Sequence, residues 1–207
     1  MNSLIGVAGL LVVAAITPGP NNLVVMRAGA HAGLRGALPA MAGVIAGGVV
    51  MLVLATTGAG VLLANERHMY ELLSVGAAAY LCWLGVVLIV DSVDAFGRSR
   101  QSRGGPLPAG FVGLLVFQFL NPKSWAMVLT VTRATRHSAA GLNDVLPVMA
   151  LFVVIPALCL TLWSVLGTYM ASGPRRARVG QLMDRAMGGL LIASALALAL
   201  SNNASIV

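Results

Sequence analysis

Two short polar motifs interrupt apolar stretches of this chain: Thr17-Pro18-Gly19-Pro20-Asn21-Asn22 and Asn121-Pro122-Lys123-Ser124. Their residue types suit binding rather than bond breaking. Proline lacks an N–H and clashes with the carbonyl four residues earlier, so each motif should break or sharply kink a helix. Carbonyls before the break lose their partners, and the helix that restarts after it presents unpaired N–H groups with a partial positive charge. Asn21 and Asn22 are suited to cap such a restart. A helix start of this kind suits a carboxylate or another polar group of a small substrate. One break alone could be a packing kink with satisfied backbone; two, half a chain apart, point to a site. Lys123 adds a cation in mid-run, where a charge costs about 2.5–3.5 kcal/mol on membrane-insertion scales. It should face the interior, where it could hold a carboxylate or exchange a proton; snorkelling to an interface is the alternative.

Little else in the chain offers chemistry. His31, His68 and His137 fall outside the apolar runs, and none is paired at metal-ligand spacing. Cys82 and Cys159 lie in different runs without a C-x-x-C, as expected of small buried apolar residues. No phosphate-binding loop ending in Gly-Lys-Ser/Thr is present, so ATP hydrolysis is not expected. We therefore expect no enzyme, no metal and no cofactor.

The elements that must position these motifs follow from the charge pattern. Of 207 residues, 58% are hydrophobic and only 9% charged, against roughly 25% charged in a soluble domain. Such a chain cannot coat a water-soluble globule. The net charge of +7 could suggest nucleic acid, but the basic residues are scattered and form no stripe. A spanning helix needs about 20 apolar residues. Charge-free stretches predict six spans at about 3–26, 37–63, 70–90, 108–132, 145–170 and 184–201. The fold expected is an all-α integral membrane protein with six transmembrane helices, the first and fourth broken. The amino terminus lacks the positive segment of a secretory signal and is read as the first span.

Nine of the thirteen basic residues fall on the first, third and fifth loops: Arg27 and Arg35; Arg98, Arg100 and Arg103; Arg175, Arg176, Arg178 and Arg185. The bias of Lys and Arg to the cytoplasmic side then puts the odd loops in the cytoplasm and both termini outside. Lipid headgroups and topology account for the basic excess without a nucleic-acid partner. Arg27 reads as an interfacial anchor or part of a cytoplasmic mouth. No carboxylate is expected in mid-membrane.

The breaks also suggest an internal repeat of three plus three spans, about 1–103 and 104–207, within a single membrane domain over 1–207. Halves with an odd number of spans insert with opposite orientation, the inverted arrangement of many secondary transporters. Gly43 and Gly47 form a small-xxx-small pair for close helix packing, within the bundle or between copies in a homo-oligomer. Tyr80 and Trp83 share a helix face, as packing or as a substrate wall.

With these residues in view, the chain resembles the lysine-exporter (LysE/RhtB) family of bacterial amino-acid exporters nearly end to end. The resemblance rests on residues 17–22, the glycines Gly29, Gly33, Gly36, Gly43 and Gly47, the stretch from Gly76 through Tyr80 and Trp83 to Gly85, Asn121-Pro122-Lys123-Ser124, and Gly188. It implies export of amino acids or close derivatives across the bacterial cytoplasmic membrane, driven by the proton-motive force. The Pro-Gly-Pro-Asn-Asn form resembles the branch handling small neutral substrates such as cysteine and O-acetylserine. Several relatives carry an Asp or Asn in the second or fifth span. Here the fifth span offers only Thr161, Ser164 and Pro156, which argues against a strongly cationic substrate.

The expected function is thus a secondary exporter of amino acids, with a small-molecule substrate and the lipid bilayer as partners. Its pathway would run along Thr17, Pro18, Gly19, Pro20, Asn21, Asn22, Asn121, Pro122 and Lys123. Two alternatives share the architecture. A thiol redox carrier would need cysteines beside the breaks, and a divalent-metal exporter would need intramembrane carboxylates or histidines.

Overall fold

A computed structural model of the chain describes residues 2–56, 67–94, 110–136, 142–171 and 176–204. In order come α1 (Asn2–Ile16), α2 (Pro20–Thr56), α3 (Arg67–Asp94), α4 (Gly110–Leu120), α5 (Pro122–Arg136), α6 (Leu142–Met170) and α7 (Arg176–Ala204). No strand occurs among the described residues. A helix satisfies its own backbone groups, which suits long apolar sequence without water.

Among the described residues, three helical stretches are long and apolar enough to cross a membrane: Pro20–Thr56, Leu146–Met170 and Gly180–Leu200. The pair Gly110–Leu120 and Lys123–Thr132, bent by 73° at its break, makes a fourth if counted as one span. Leu4–Ile16 and Val75–Val90 are apolar but shorter. The two expected breaks are present, at residues 17–19 and at Asn121. The first expected loop differs. It is shorter than expected: Gly33, inside it, has non-helical backbone with φ of 69° and separates two helices within α2, a left-handed conformation that glycine adopts without a Cβ penalty. The Arg98–Arg103 stretch, Arg175, His137, the end of the second expected span and the start of the fourth lie outside the described residues.

Helix α2 is the centre of the bundle and packs chiefly on α6 and α4, while α3 pairs with α7. Small residues set these crossings. A Cβ at Gly29 would run into the Ser164 carbonyl, and one at Gly167 into the Met26 carbonyl. The Thr168 hydroxyl donates to the Gly29 carbonyl across the same crossing at 3.0 Å. Gly43 and Gly47 face α4, where a Cβ at Gly47 would stand 2.7 Å from the Leu115 oxygen. Gly85 and Gly188 oppose each other between α3 and α7.

Two apolar clusters result. One joins α2, α3, α4 and α7 around Val25, Leu81, Leu84, Phe117 and Leu191. The other joins α1, α5 and α6 to the end of α2, around Leu11, Met51, Val128 and Phe152. Large apolar side chains also cover the outside, among them Val112, Leu158 and Leu182.

Candidate functional site

Each break is organised by the residue types of its motif. At the first, Gly19 precedes the helix and its carbonyl accepts the Leu23 N–H at 3.1 Å. Pro20 opens α2, a position where its missing N–H costs nothing. Asn21 and Asn22, expected as caps, therefore lie in the first turn. Asn22 turns back: its side-chain amide donates to the carbonyls of Ala15 (2.8 Å) and Thr17 (2.9 Å). These are groups that the end of α1 leaves without helical partners. Asn22 is thus the stitch across the break. The Thr17 hydroxyl donates to the Val13 carbonyl at 2.5 Å.

The second break repeats this grammar. Asn121 is the cap, with its Oδ1 accepting the Lys123 N–H at 3.1 Å and its carbonyl accepting the Ser124 N–H at 3.0 Å. Pro122 opens α5 as Pro20 opens α2. By this register Asn21 corresponds to Lys123 and Asn22 to Ser124. The Trp125 indole donates to the Phe119 carbonyl at 2.9 Å, satisfying a group at the end of α4.

The breaks meet. The Lys123 ammonium donates to the Thr17 carbonyl. Its Cδ and Nζ lie 3.0 Å from where a Cβ of Gly19 would stand, so the missing side chain at Gly19 is the room Lys123 uses. Gln118, near the end of α4, joins the rest. Its amide nitrogen donates to the Val44 carbonyl of α2 at 2.9 Å. Its oxygen accepts from the Ser124 hydroxyl at 2.7 Å and from the Asn21 amide.

A cavity of about 50 Å³ opens between the breaks. Its polar side is Asn21, Asn22, Gln118, Asn121, Lys123 and Ser124, and its apolar side includes Val44, Ile45, Met127, Phe152, Pro156 and Leu160. Gly19 and Gly48 also line it. Among the described residues, Lys123 is the one charged side chain on the wall, so the local field favours an anionic group. Of the residues expected from sequence, Gly19, Asn21, Asn22, Asn121 and Lys123 share this wall. Thr17 contributes its carbonyl through Lys123. Pro18 is exposed, Pro20 is buried, and neither lines the cavity. Gly43 and Gly47 stand at the α2–α4 crossing instead.

Sequence reasoning passed over Gln118 and Phe152, and named Ser124 and Pro156 without putting them on the pathway. Gln118 had a signal: it is the one polar side chain between Phe111 and Leu120, and polar residues inside apolar spans face the interior. Phe152 had none, because one aromatic in an apolar helix looks like any other.

A second polar contact joins α2 to α7. Arg27 forms an ion pair with Asp184 at 3.0 Å, with the side chains 19% and 6% exposed. Asp184 lies about two turns inside α7 and near the start of its apolar stretch Gly180–Leu200, as expected of the edge of the last span. A buried carboxylate is therefore present. It is held by an arginine that sequence spacing could not bring to it. Beside it, Arg185 donates to Ser92 of α3 at 3.2 Å. Both cysteines are free thiols, Cys82 exposed on α3 and Cys159 buried in α6.

Comparison with known proteins agrees with this architecture. The chain is 28% identical over 156 residues to a cysteine/O-acetylserine efflux protein of Salmonella typhimurium, covering 75% of this chain and 77% of that one. It is also 28% identical over 109 residues to a leucine efflux protein of the same organism. That match covers 53% of this chain, which spans about half the relative's length (51%). No solved structure matches. The profile of the LysE type translocators matches residues 12–202, and the chain belongs to that family of transporters.

Proposed function

We propose that the protein exports small neutral amino acids or close derivatives from the cytoplasm, as a secondary transporter of the bacterial inner membrane drawing on the proton-motive force. The observation that carries this reading is the meeting of two broken helices at one cavity whose single charge is Lys123. Discontinuous helices at a central site are how many secondary transporters hold small substrates. Lys123 and the start of α5 attract the substrate carboxylate, while Phe152, Pro156 and Leu160 accommodate an uncharged side chain. In this reading α1 and the start of α2 make the first of six spans, and α4 with α5 the fourth, in two inverted halves. Odd-numbered loops face the cytoplasm and both termini face outside. The relatives named for leucine and for cysteine/O-acetylserine efflux support neutral substrates.

The test is efflux from cells fed a panel of dipeptides, with and without a protonophore. Overexpression should raise one or a few neutral amino acids in the medium, and the protonophore should abolish the rise. Lys123→Ala should reduce it at least tenfold at equal membrane abundance. Equal efflux by both proteins would remove Lys123 from the mechanism, and no amino acid above background would overturn the reading.

A further inference from the structure

The amide network fixes the polarity of one cavity atom. Val44 offers Gln118 a backbone carbonyl, which can only accept, so the end of Gln118 bonded there at 2.9 Å is its NH₂. The Gln118 oxygen must then face the other way, towards Ser124 and Asn21. Ser124 donates to it at 2.7 Å. Asn21, meeting an acceptor, must present its NH₂, which also lies 3.4 Å from Ser124 Oγ. The orientation of both amides thus descends from one backbone carbonyl. What remains is Asn21 Oδ1: buried, and without a hydrogen-bond partner among the described residues. Asn21 lines the cavity. Leaving a buried acceptor without a donor is unfavourable, so a ligand that supplies a donor there is favoured.

An acceptor repels a carboxylate, so Asn21 cannot serve the group that Lys123 attracts. It suits the other end of a zwitterion. We propose that Asn21 Oδ1 is the subsite for the substrate α-ammonium group, and that Gln118 is the positioning residue holding it in that orientation. The inference rests on the exporter reading and deepens it. Binding then requires the Asn21 amide to turn so that Oδ1, buried here, meets the ligand. A bare amine is a poor ligand here, because Lys123 repels it. A zwitterion brings its own carboxylate to stand between the two cations. The site therefore reads both charged ends, and selects free α-amino acids over 2-oxo acids and over decarboxylated amines.

The experiment uses the purified full chain in proteoliposomes loaded with labelled leucine as probe. Competition is measured with unlabelled leucine, with its 2-oxo acid, which keeps the side chain and carboxylate but has no ammonium, and with isopentylamine, which has no carboxylate. Wild type should prefer leucine to either analogue about ten- to hundredfold, the range that one charge-assisted hydrogen bond supplies. Asn21→Leu should weaken leucine alone and bring the leucine to 2-oxo-acid ratio near one. Gln118→Met should shrink the same ratio while competition by the 2-oxo acid persists, which a merely structural loss would not do. Equal competition by leucine and its 2-oxo acid in wild type overturns the inference without needing any variant. An undiminished ratio in Asn21→Leu also overturns it. In both cases leucine transport continues and the exporter reading stands. Absence of any amino-acid transport would remove both.

Discussion

At the scale of the residue, the two asparagines of the first motif do opposite things although they are neighbours of the same type. Asn22 spends its amide on the carbonyls of Ala15 and Thr17, and Asn21 keeps an acceptor in reserve. Asn22→Leu should therefore act on stability. Carbonyls left without that donor in apolar surroundings cost about 1–3 kcal/mol, read as a lower melting temperature in detergent. Any change in substrate preference should be slight. The motif itself was legible from sequence, because two prolines in an apolar run leave a helix few options. The division of labour between Asn21 and Asn22 was not. It depends on Pro20 taking the first helical position, and on Gln118 arriving from a segment about a hundred residues away.

At the scale of the element, breaks were readable and packing partners were not. Charge spacing marked apolar runs well, and the break at Gly33 falls inside the loop it placed at Arg27–Arg35, although the helix first runs on past Arg27. A charge marks a helix end only when nothing inside the bundle neutralises it, and Asp184 neutralises Arg27. This pair locks α2 to α7, next to the Arg185–Ser92 bond between α7 and α3. Removing one partner costs the other, mostly buried, charge its ion pair. Asp184→Ala should cost about 3–5 kcal/mol, whereas the double change Arg27→Met with Asp184→Leu should recover most of it. Thermal melting of the three proteins in one detergent checks this. A double variant no more stable than Asp184→Ala would show that the pair is not the unit of stability.

At the scale of the whole molecule, the low charge that excludes a soluble globule reappears as an apolar outer surface. Leu158 and Leu182 are 66% and 64% exposed, values that would be a liability in water and are natural against lipid tails. A substitution there should follow membrane rules. Leu158→Ala should be nearly neutral, while Leu158→Arg should cost about 2.5–3.5 kcal/mol of insertion, read as a fall in membrane-inserted protein on fractionation. The two apolar clusters meet around the cavity: Val44 and Leu160 come from one, Ala15 and Phe152 from the other. A composition that could not reveal a binding site thus still fixed its setting, a polar seam between two dry clusters.

The seam has a further consequence for how the protein is made. Lys123 reaches a carbonyl 106 residues earlier in the chain, and Asn21 finds its partners 97 and 103 residues later. At ribosomal speeds of about 5–20 residues per second, the first break must wait on the order of 5–20 s for those partners to emerge. Asn22, only five and seven residues from the carbonyls it serves, can act at once. The nascent chain therefore carries its own interim splint, and the order of synthesis separates the bonds that protect the break from the bonds that turn it into a site.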